Sequence, residues 1–414
     1  MDPVTSAQYL TMKDSFSRQG VEIEVAYTPA GDVDYIYAVG RLLAMEREDN
    51  VERLQAMLPG MRRADPGEQP EVGDFVVLSI DEAEDGYLTV PEALELIDER
   101  LEENPALDDG EPLLTPVHVV HITKICPGVE PEVPSGYPTQ PWPAPSQAGG
   151  KGVKIGVSDT GLQPNIDDPV RYPWLADVTG DQEPVGPILP SGLQRIPKYA
   201  GHGTFVAGVA KCMAPESTVY VNDHFTMSGG ELEYVIIQKL EQLILDQSPD
   251  VVSLSAGTYT RNNWVPLSFN EFHRRHPDIT LVAAAGNDST KRKFYPAAFP
   301  WVVGVGALGT DQRHRAWFSN YGDWVDVYAL GEGMVNAYAT GVYTYQEPPK
   351  EPAKQTFDGM ARWDGTSFST PLVAGLIAEE MTRSGCTAQD ATQALLNKAR
   401  SEAIPGVGPA LFPP

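Results

Sequence analysis

Seven prolines fall between Cys126 and Gly150 (CPGVEPEVPSGYPTQPWPAPSQAGG), a density that no regular helix or central strand tolerates. Each proline fixes φ and removes a backbone donor, so the segment favours extended, semi-rigid chain. Residues 127–150 therefore read as a linker, and the 414-residue chain divides into residues 1–126 and 151–414. With 42% hydrophobic and 21% charged residues, the chain as a whole has the composition of folded protein.

Before the seam, Val21–Tyr27 (VEIEVAY) alternates like a strand and Val33–Leu58 carries helical apolar spacing. Asp74–Ile80 predicts a second strand, Val90–Leu107 an acidic amphipathic helix and Pro116–Ile122 a third strand. The expected result is a small α+β domain of β-α-β-α-β order. Residues 1–126 hold 27 acidic and 9 basic side chains, two-thirds of the chain's net charge of −27. Either these are solvated helix faces, or they form an acidic docking surface for a basic partner or for the remainder of the chain.

That charge disfavours nucleic acid and anionic membrane as partners. No run approaches the roughly 18 consecutive apolar residues of a membrane span. Met1–Gly20 contains Lys13, Asp14 and Arg18 and lacks the apolar core of a secretory signal, which predicts a cytoplasmic protein. Cys126, Cys212 and Cys386 are too scattered to predict a disulfide framework or a clustered zinc site.

After the seam, apolar strands alternate with helices: Val153–Ser158, a helix entered at His202, Thr218–Asn222, a helix from Gly230 to Asp246, Val251–Ser255, Ile279–Ala284, Val302–Ala307 and a helix from Thr366. Such alternation builds an α/β fold, a mainly parallel sheet with helices on both faces. Catalytic groups on such a sheet gather at the carboxyl ends of strands and at helix starts.

Three strings stand at those places. Ser158-Asp159-Thr160-Gly161 ends a strand and leaves a carboxylate at the sheet edge; Gly201-His202-Gly203-Thr204 opens an apolar helix with an imidazole in its first turn. Gly365-Thr366-Ser367-Phe368-Ser369-Thr370-Pro371 precedes the helical run Leu372–Met381, so a serine there has its own amide turned toward developing negative charge. Of its two serines, flanking Gly365 leaves the approach to Ser367 uncrowded and favours it, with Ser369 as the competitor. Ala283-Ala284-Ala285-Gly286-Asn287 adds a carboxamide that can donate to an oxyanion. Each string alone has an ordinary structural reading as a turn, a packed histidine or a helix cap. Together they supply an acid, a base, a nucleophile and an oxyanion donor, in an order unlike that of α/β-hydrolases or chymotrypsin-like enzymes.

These four blocks resemble those of the subtilisin-like (subtilase) serine peptidase family, and the resemblance extends from about Lys151 to Ala399. It implies Asp159 as orienting acid, His202 as general base, Ser367 as nucleophile and Asn287 as oxyanion donor, with Ser369 a helix residue. It further implies that Ser255-Ala256-Gly257 and Ala284-Ala285-Gly286 wall the first specificity pocket, and that Ser228-Gly229-Gly230 pairs with an extended substrate. Phe294, before Tyr295-Pro296, is expected at the pocket floor or rim, where its bulk disfavours very large side chains.

Between the His202 helix and Thr218 the chain has no room for the calcium loop of many relatives, so no metal and no cofactor are expected. Ala329-Leu330-Gly331 stands where the family often has Ala-Pro-Gly, and Tyr343–Met360 is a charged insertion that either shapes the primed side of the cleft or lengthens a surface loop. The first 126 residues match a propeptide in position, implying an intramolecular chaperone or inhibitor with a tail in Pro116–Val133. A permanently attached regulatory or docking domain fits equally.

The function expected is serine endopeptidase, cleaving peptide or protein substrates in intracellular turnover or maturing a dedicated precursor peptide. The alternative is a catalytically silent binding module of the same fold, held shut by its N-terminal domain.

Overall fold

The computed structural model describes residues 3–414 except 48, 81–87, 104–112, 124–129, 136–139, 165, 176, 226–227 and 347–351. Residues 1–126 supply five strands, β1 (Ile23–Tyr27), β2 (Val33–Met45), β3 (Met61–Arg63), β4 (Phe75–Ile80) and β5 (Leu114–Ile122), with helices α1 (Pro3–Ser17), α2 (Asn50–Met57) and α3 (Val90–Glu103). Strand β2 pairs antiparallel with β1, β4 and β5. The helix expected over Val33–Leu58 is thus a 13-residue strand followed by a two-turn helix. Its dense run of Val, Ile and Tyr packs as a central strand, and pairing on both edges outweighs the helical spacing that sequence suggested. The residues after Glu103 in the expected Val90–Leu107 helix lie outside the described residues.

The second region contributes β6 (Lys154–Asp159), β7 (Val178–Gly180), α4 (His202–Met213), β8 (Thr218–Asp223), β9 (Gly230–Leu232), α5 (Glu233–Gln247), β10 (Val251–Leu254), β11 (Ala256–Gly257), α6 (Leu267–Arg275), β12 (Thr280–Ala284), β13 (Val303–Leu308), β14 (Val327–Leu330), β15 (Met334–Thr344), β16 (Lys354–Trp363), α7 (Thr366–Ser384) and α8 (Ala388–Ser401). Seven of these strands form a parallel sheet in the order β14-β13-β12-β10-β6-β8-β7. The α/β architecture expected from the alternation is present. Helices α4 and α7 lie close together, since a Cβ on Gly375 would stand 2.6 Å from Met213 Cβ.

Two segments depart from expectation. Gly230–Leu232 is a short strand rather than the first turn of a helix, because it pairs with β5. The insertion at Tyr343–Met360 belongs to the β15–β16 hairpin, whose edges hold the proline-rich seam. Glu132 and Arg362 exchange backbone hydrogen bonds, as do Trp142 and Val335, and buried Glu130 accepts from Tyr343 Oη and Gln346 N, both at 3.1 Å.

Strand β5 joins the two regions. It runs antiparallel to β9 (Val119 to Leu232, Val120 to Glu231, His121 to Gly230) and to β11 (His121 to Gly257, Ile122 to Ala256). Around it Arg292, Arg261 and Arg274 pair with Asp34, Asp98 and Asp74 at 2.6, 2.7 and 2.7 Å. Part of the acidic surface of residues 1–126 therefore meets basic side chains of the same chain.

A buried pair fixes β5 to the start of α5. Glu233 Oε1 lies 2.8 Å from His118 Nδ1 and accepts the His118 amide at 2.9 Å, while Ser268 Oγ donates to Oε2 at 2.5 Å. Both side chains are almost wholly excluded from water. His118→Ala would strand the carboxylate, and is expected to cost about 3 kcal/mol, the low end for breaking a buried pair because two donors remain. A shift in the denaturant midpoint of the full chain reads it; an unchanged midpoint refutes the assignment. No helix among the described residues is long and apolar enough to cross a membrane.

Candidate active site

Asp159 is the last residue of β6, and His202 the first of α4. Gly201 caps α4 at φ 82°, and a Cβ there would meet the Tyr338 ring at 2.7 Å, so only glycine lets the helix begin this close to β15. His202 Nδ1 then donates to Asp159 Oδ1 at 2.7 Å, in a site where both side chains are buried. Because a carboxylate oxygen can only accept, Nδ1 is the nitrogen that carries a proton in this contact, and Nε2 is the one turned away from Asp159. The Trp363 and Phe368 rings each stand 5.4 Å from the imidazole and hold its plane.

Ser367 lies in the first turn of α7, next to Phe368. Pro371, four residues on, has no N–H for the Ser367 carbonyl, and Ser255 Oγ donates to that oxygen instead at 2.8 Å. Ser255 thus braces the serine turn, a role that the sequence did not suggest. The Ser367 hydroxyl is 2.5 Å from Thr123 Oγ1 and 3.5 Å from the Ser255 carbonyl. Among the described hydrogen bonds none joins it to His202.

Asn287 Nδ2 donates to the same Thr123 hydroxyl at 3.1 Å. Its orientation is set from behind. Asn287 Oδ1 accepts from Thr366 N at 3.0 Å and Thr366 Oγ1 at 2.8 Å, and the latter oxygen accepts from Gly286 N at 3.2 Å. Thr366 is a second positioning residue unassigned from sequence, although it stands within the Gly365–Pro371 string. Ser369 turns away and donates to Ala329 O at 3.1 Å, as expected of a helix residue.

The segments expected to bind substrate line the path of β5. Ile122 N donates to Gly229 O at 2.8 Å, Thr123 N to Ser255 O at 3.2 Å, and Gly230, Ala256 and Gly257 pair with β5. Ser228 is buried beside them, Ala284 and Ala285 end β12 and enter the turn to Asn287, and Phe294 is buried against Gly257 and Gly286. Two groups of side chains result, Asp159 with His202 and Ser367 with Asn287 around the Thr123 hydroxyl, and Phe368, the residue after Ser367, stands between them with its ring 5.4 Å from the imidazole.

The sequence pattern of the Subtilase family matches residues 150–408, more than half of the chain. The chain belongs to the subtilase family. It is 30% identical over 268 residues to the "Intracellular serine protease" of Paenibacillus polymyxa, covering 60% of this subtilase and 72% of that protein. It is 29% identical over 274 residues to thermitase of Thermoactinomyces vulgaris, covering 63% and 85%. Similar solved structures include a cold adapted subtilisin-like serine proteinase (22% identity, TM-score 0.48, 65% of this chain and 91% of that one). The prenylagaramide maturation protease PagA is another (23%, 0.45, 61% and 83%). The family match over residues 150–408 makes this subtilase a subtilisin-like serine protease.

One carboxyl of the subtilase site has no counterpart in the motifs. Glu183 lies buried beside Asp159 and accepts from Gly201 N at 2.6 Å and from Gln163 Nε2, so it ties down the residue before His202. Burial pushes its pKa up to about 8, against the lowering by those donors and with help from the charge of Asp159. A nearby histidine is no rival base: burial pushes His224 down to about 3, and its Nδ1 is 2.7 Å from Ser158 Oγ.

The raised Glu183 value has a stability consequence. Unfolded, the carboxyl loses its proton near 4.5; folded, it keeps the proton until about 8. Stability contributed by the neutral form is therefore complete below pH 4.5 and is lost as pH rises toward 8. Glu183→Gln retains the Oε1 acceptor and cannot ionise. Its melting temperature is expected to equal the wild-type value at pH 4 and to exceed it at pH 8. Parallel melting curves across that range would contradict the assignment.

Proposed function

We propose that this subtilase hydrolyses peptide bonds through Ser367, His202 and Asp159, with Asn287 and the Ser367 amide as oxyanion donors. Ser367 Oγ adds to the carbonyl carbon of an extended substrate while His202 Nε2 takes its proton. Asp159 holds the ring and stabilises the imidazolium. The new oxyanion receives hydrogen bonds from Asn287 Nδ2 and Ser367 N, His202 returns the proton to the leaving amine, and water releases the acyl group by the reverse course. Ser228–Gly230 and Ser255–Gly257 offer the substrate two backbone edges, and Ala284–Gly286 completes the pocket wall.

The observation that carries this reading is the Thr123 hydroxyl, held between Ser367 Oγ at 2.5 Å and Asn287 Nδ2 at 3.1 Å. An oxygen acceptor sits where nucleophile and oxyanion donor converge. We read residues 1–126 as a unit that assists folding or closes this cleft, residues 127–150 as its linker and 151–414 as the peptidase. The Thr123 contact also accounts for the absent Ser367–His202 hydrogen bond, since the tail has taken the serine hydroxyl. Departure of the tail lets that bond form, as catalytic contacts commonly tighten only when substrate binds. The identity with a relative named for an intracellular protease supports an intracellular setting, in protein turnover or the maturation of one precursor peptide.

A fluorophosphonate probe followed by peptide mapping tests the reading. Modification of Ser367 is expected. No modification in the full chain, nor after the tail is displaced, would instead favour a silent binding module.

A further inference from the structure

Phe294 does more than border the cleft. Its ring lies between the two pocket walls: a Cβ on Gly257 would stand 2.4 Å from Phe294 Cε1, and a Cβ on Gly286 3.2 Å from Cδ1. Even a methyl group on either wall would strike it. Phe294 is 1% exposed, so the space between the walls is already occupied.

The ring is also locked. Thr258 and Tyr295 exchange backbone hydrogen bonds of 2.7 and 2.9 Å, which ties the Phe294 segment to the Gly257 wall. The Tyr259 ring packs against Phe294 with centroids 5.0 Å apart. Tyr259 in turn donates to Asp288 Oδ2 at 2.8 Å and accepts from Asn320 Nδ2 at 3.0 Å, so it cannot swing aside to release Phe294. On the cleft side the His121 ring lies 5.9 Å from Phe294. The residue placed beside the nucleophile in this chain, Thr123, is small.

We propose that Phe294 fills the primary specificity pocket, so that the substrates are extended peptides with a small residue, Gly, Ala, Ser or Thr, immediately before the cleaved bond. This rests on the peptidase reading above. A larger side chain would have to displace a buried aromatic ring held by hydrogen-bonded neighbours, and dense interiors do not yield such volume. Discrimination among substrates then falls on the residues that pair with Gly229–Leu232 and Ala256–Gly257, where β5 presents Val120 and Ile122.

The full chain is assayed with peptides of sequence Val-His-Ile-X ahead of a fluorogenic amide, X being Ala, Thr, Leu or Phe. The wild type is expected to favour Ala and Thr over Phe by about 100-fold or more in kcat/KM. Phe294→Gly, with Phe294→Ala as a second variant, should raise the Phe-to-Ala ratio by about the same factor. Equal cleavage of the Ala and Phe peptides by wild type, or an unmoved ratio in both variants, overturns the proposal.

A second measurement needs no turnover. In the Ser367→Ala full chain, Thr123→Phe should lower the melting temperature by about 3 °C or more, and Phe294→Gly should reduce that penalty to the part owed to the lost Asn287–Thr123 hydrogen bond. A penalty indifferent to residue 294 counts against the filled pocket. Fluorophosphonate labelling separates the two ideas: labelled Ser367 with an unmoved ratio refutes the pocket alone, whereas Ser367 left unlabelled both in the full chain and after the tail is displaced refutes the peptidase reading and leaves the melting cycle to decide the pocket.

Discussion

Ser367→Ala is expected to lower kcat on an unstructured peptide by about a million-fold, the size measured for the nucleophile of a subtilisin. The substitution removes one oxygen from the first turn of α7 and disturbs little else. The Ser255 brace reaches the backbone carbonyl of residue 367 and survives, as do the Thr366 bonds that orient Asn287. The variant should therefore melt near the wild-type temperature while losing both turnover and probe labelling. Residual hydrolysis would come from Asn287 and backbone positioning alone. Near-normal turnover would move the nucleophile away from residue 367, and with it the whole proposed mechanism.

Ile122→Pro should accelerate fluorophosphonate labelling of Ser367 in the full chain by about ten- to a hundredfold. Ile122 N donates to Gly229 O at 2.8 Å, and proline has no such donor. The loss leaves a buried carbonyl unpaired next to Thr123, at a cost of about 1–3 kcal/mol to the inserted strand. At about 1.4 kcal/mol per tenfold, that cost sets the expected range. The three arginine–aspartate pairs and the His118–Glu233 contact keep the rest of residues 1–126 docked, so the effect is confined to the cleft end of β5. Labelling at the wild-type rate would show that the probe reaches Ser367 without displacing the tail.

The two halves of the chain differ in how much they disclosed. From Val153 onward, short strands rich in apolar residues alternate with helices, two of which have glycines, Gly201 and Gly365, as punctuation at their entries. A parallel sheet buried on both faces needs such runs, so period and length were sufficient. Val33–Met45 misled, because ten apolar residues in thirteen satisfy a helical face as readily as a central strand, and only pairing with β1, β4 and β5 decides between them. The site shows the same division. Asp159, His202, Asn287 and Ser367, the residues proposed for the reaction, stand out in the sequence because their strings carry marked neighbours: a tight turn, a glycine cap and a proline four residues on.

Glu183, Ser255 and Thr123 were not. Glu183 sits in a segment, Gln182-Glu183-Pro184, with nothing to mark it, and its high pKa arises from burial beside Gly201. Thr123 follows an ordinary strand, and its meeting with Ser367 spans 244 positions. The filled pocket proposed above depends likewise on how near the Phe294 ring stands to two glycines, Gly257 in β11 and Gly286 just beyond β12. Residue order determined which chemistry the chain carries, because reactive groups must be built into local turns. Tertiary packing decided whether that chemistry is accessible and what it accepts, because occupancy of a cleft is a matter of volumes brought together from distant parts of the chain.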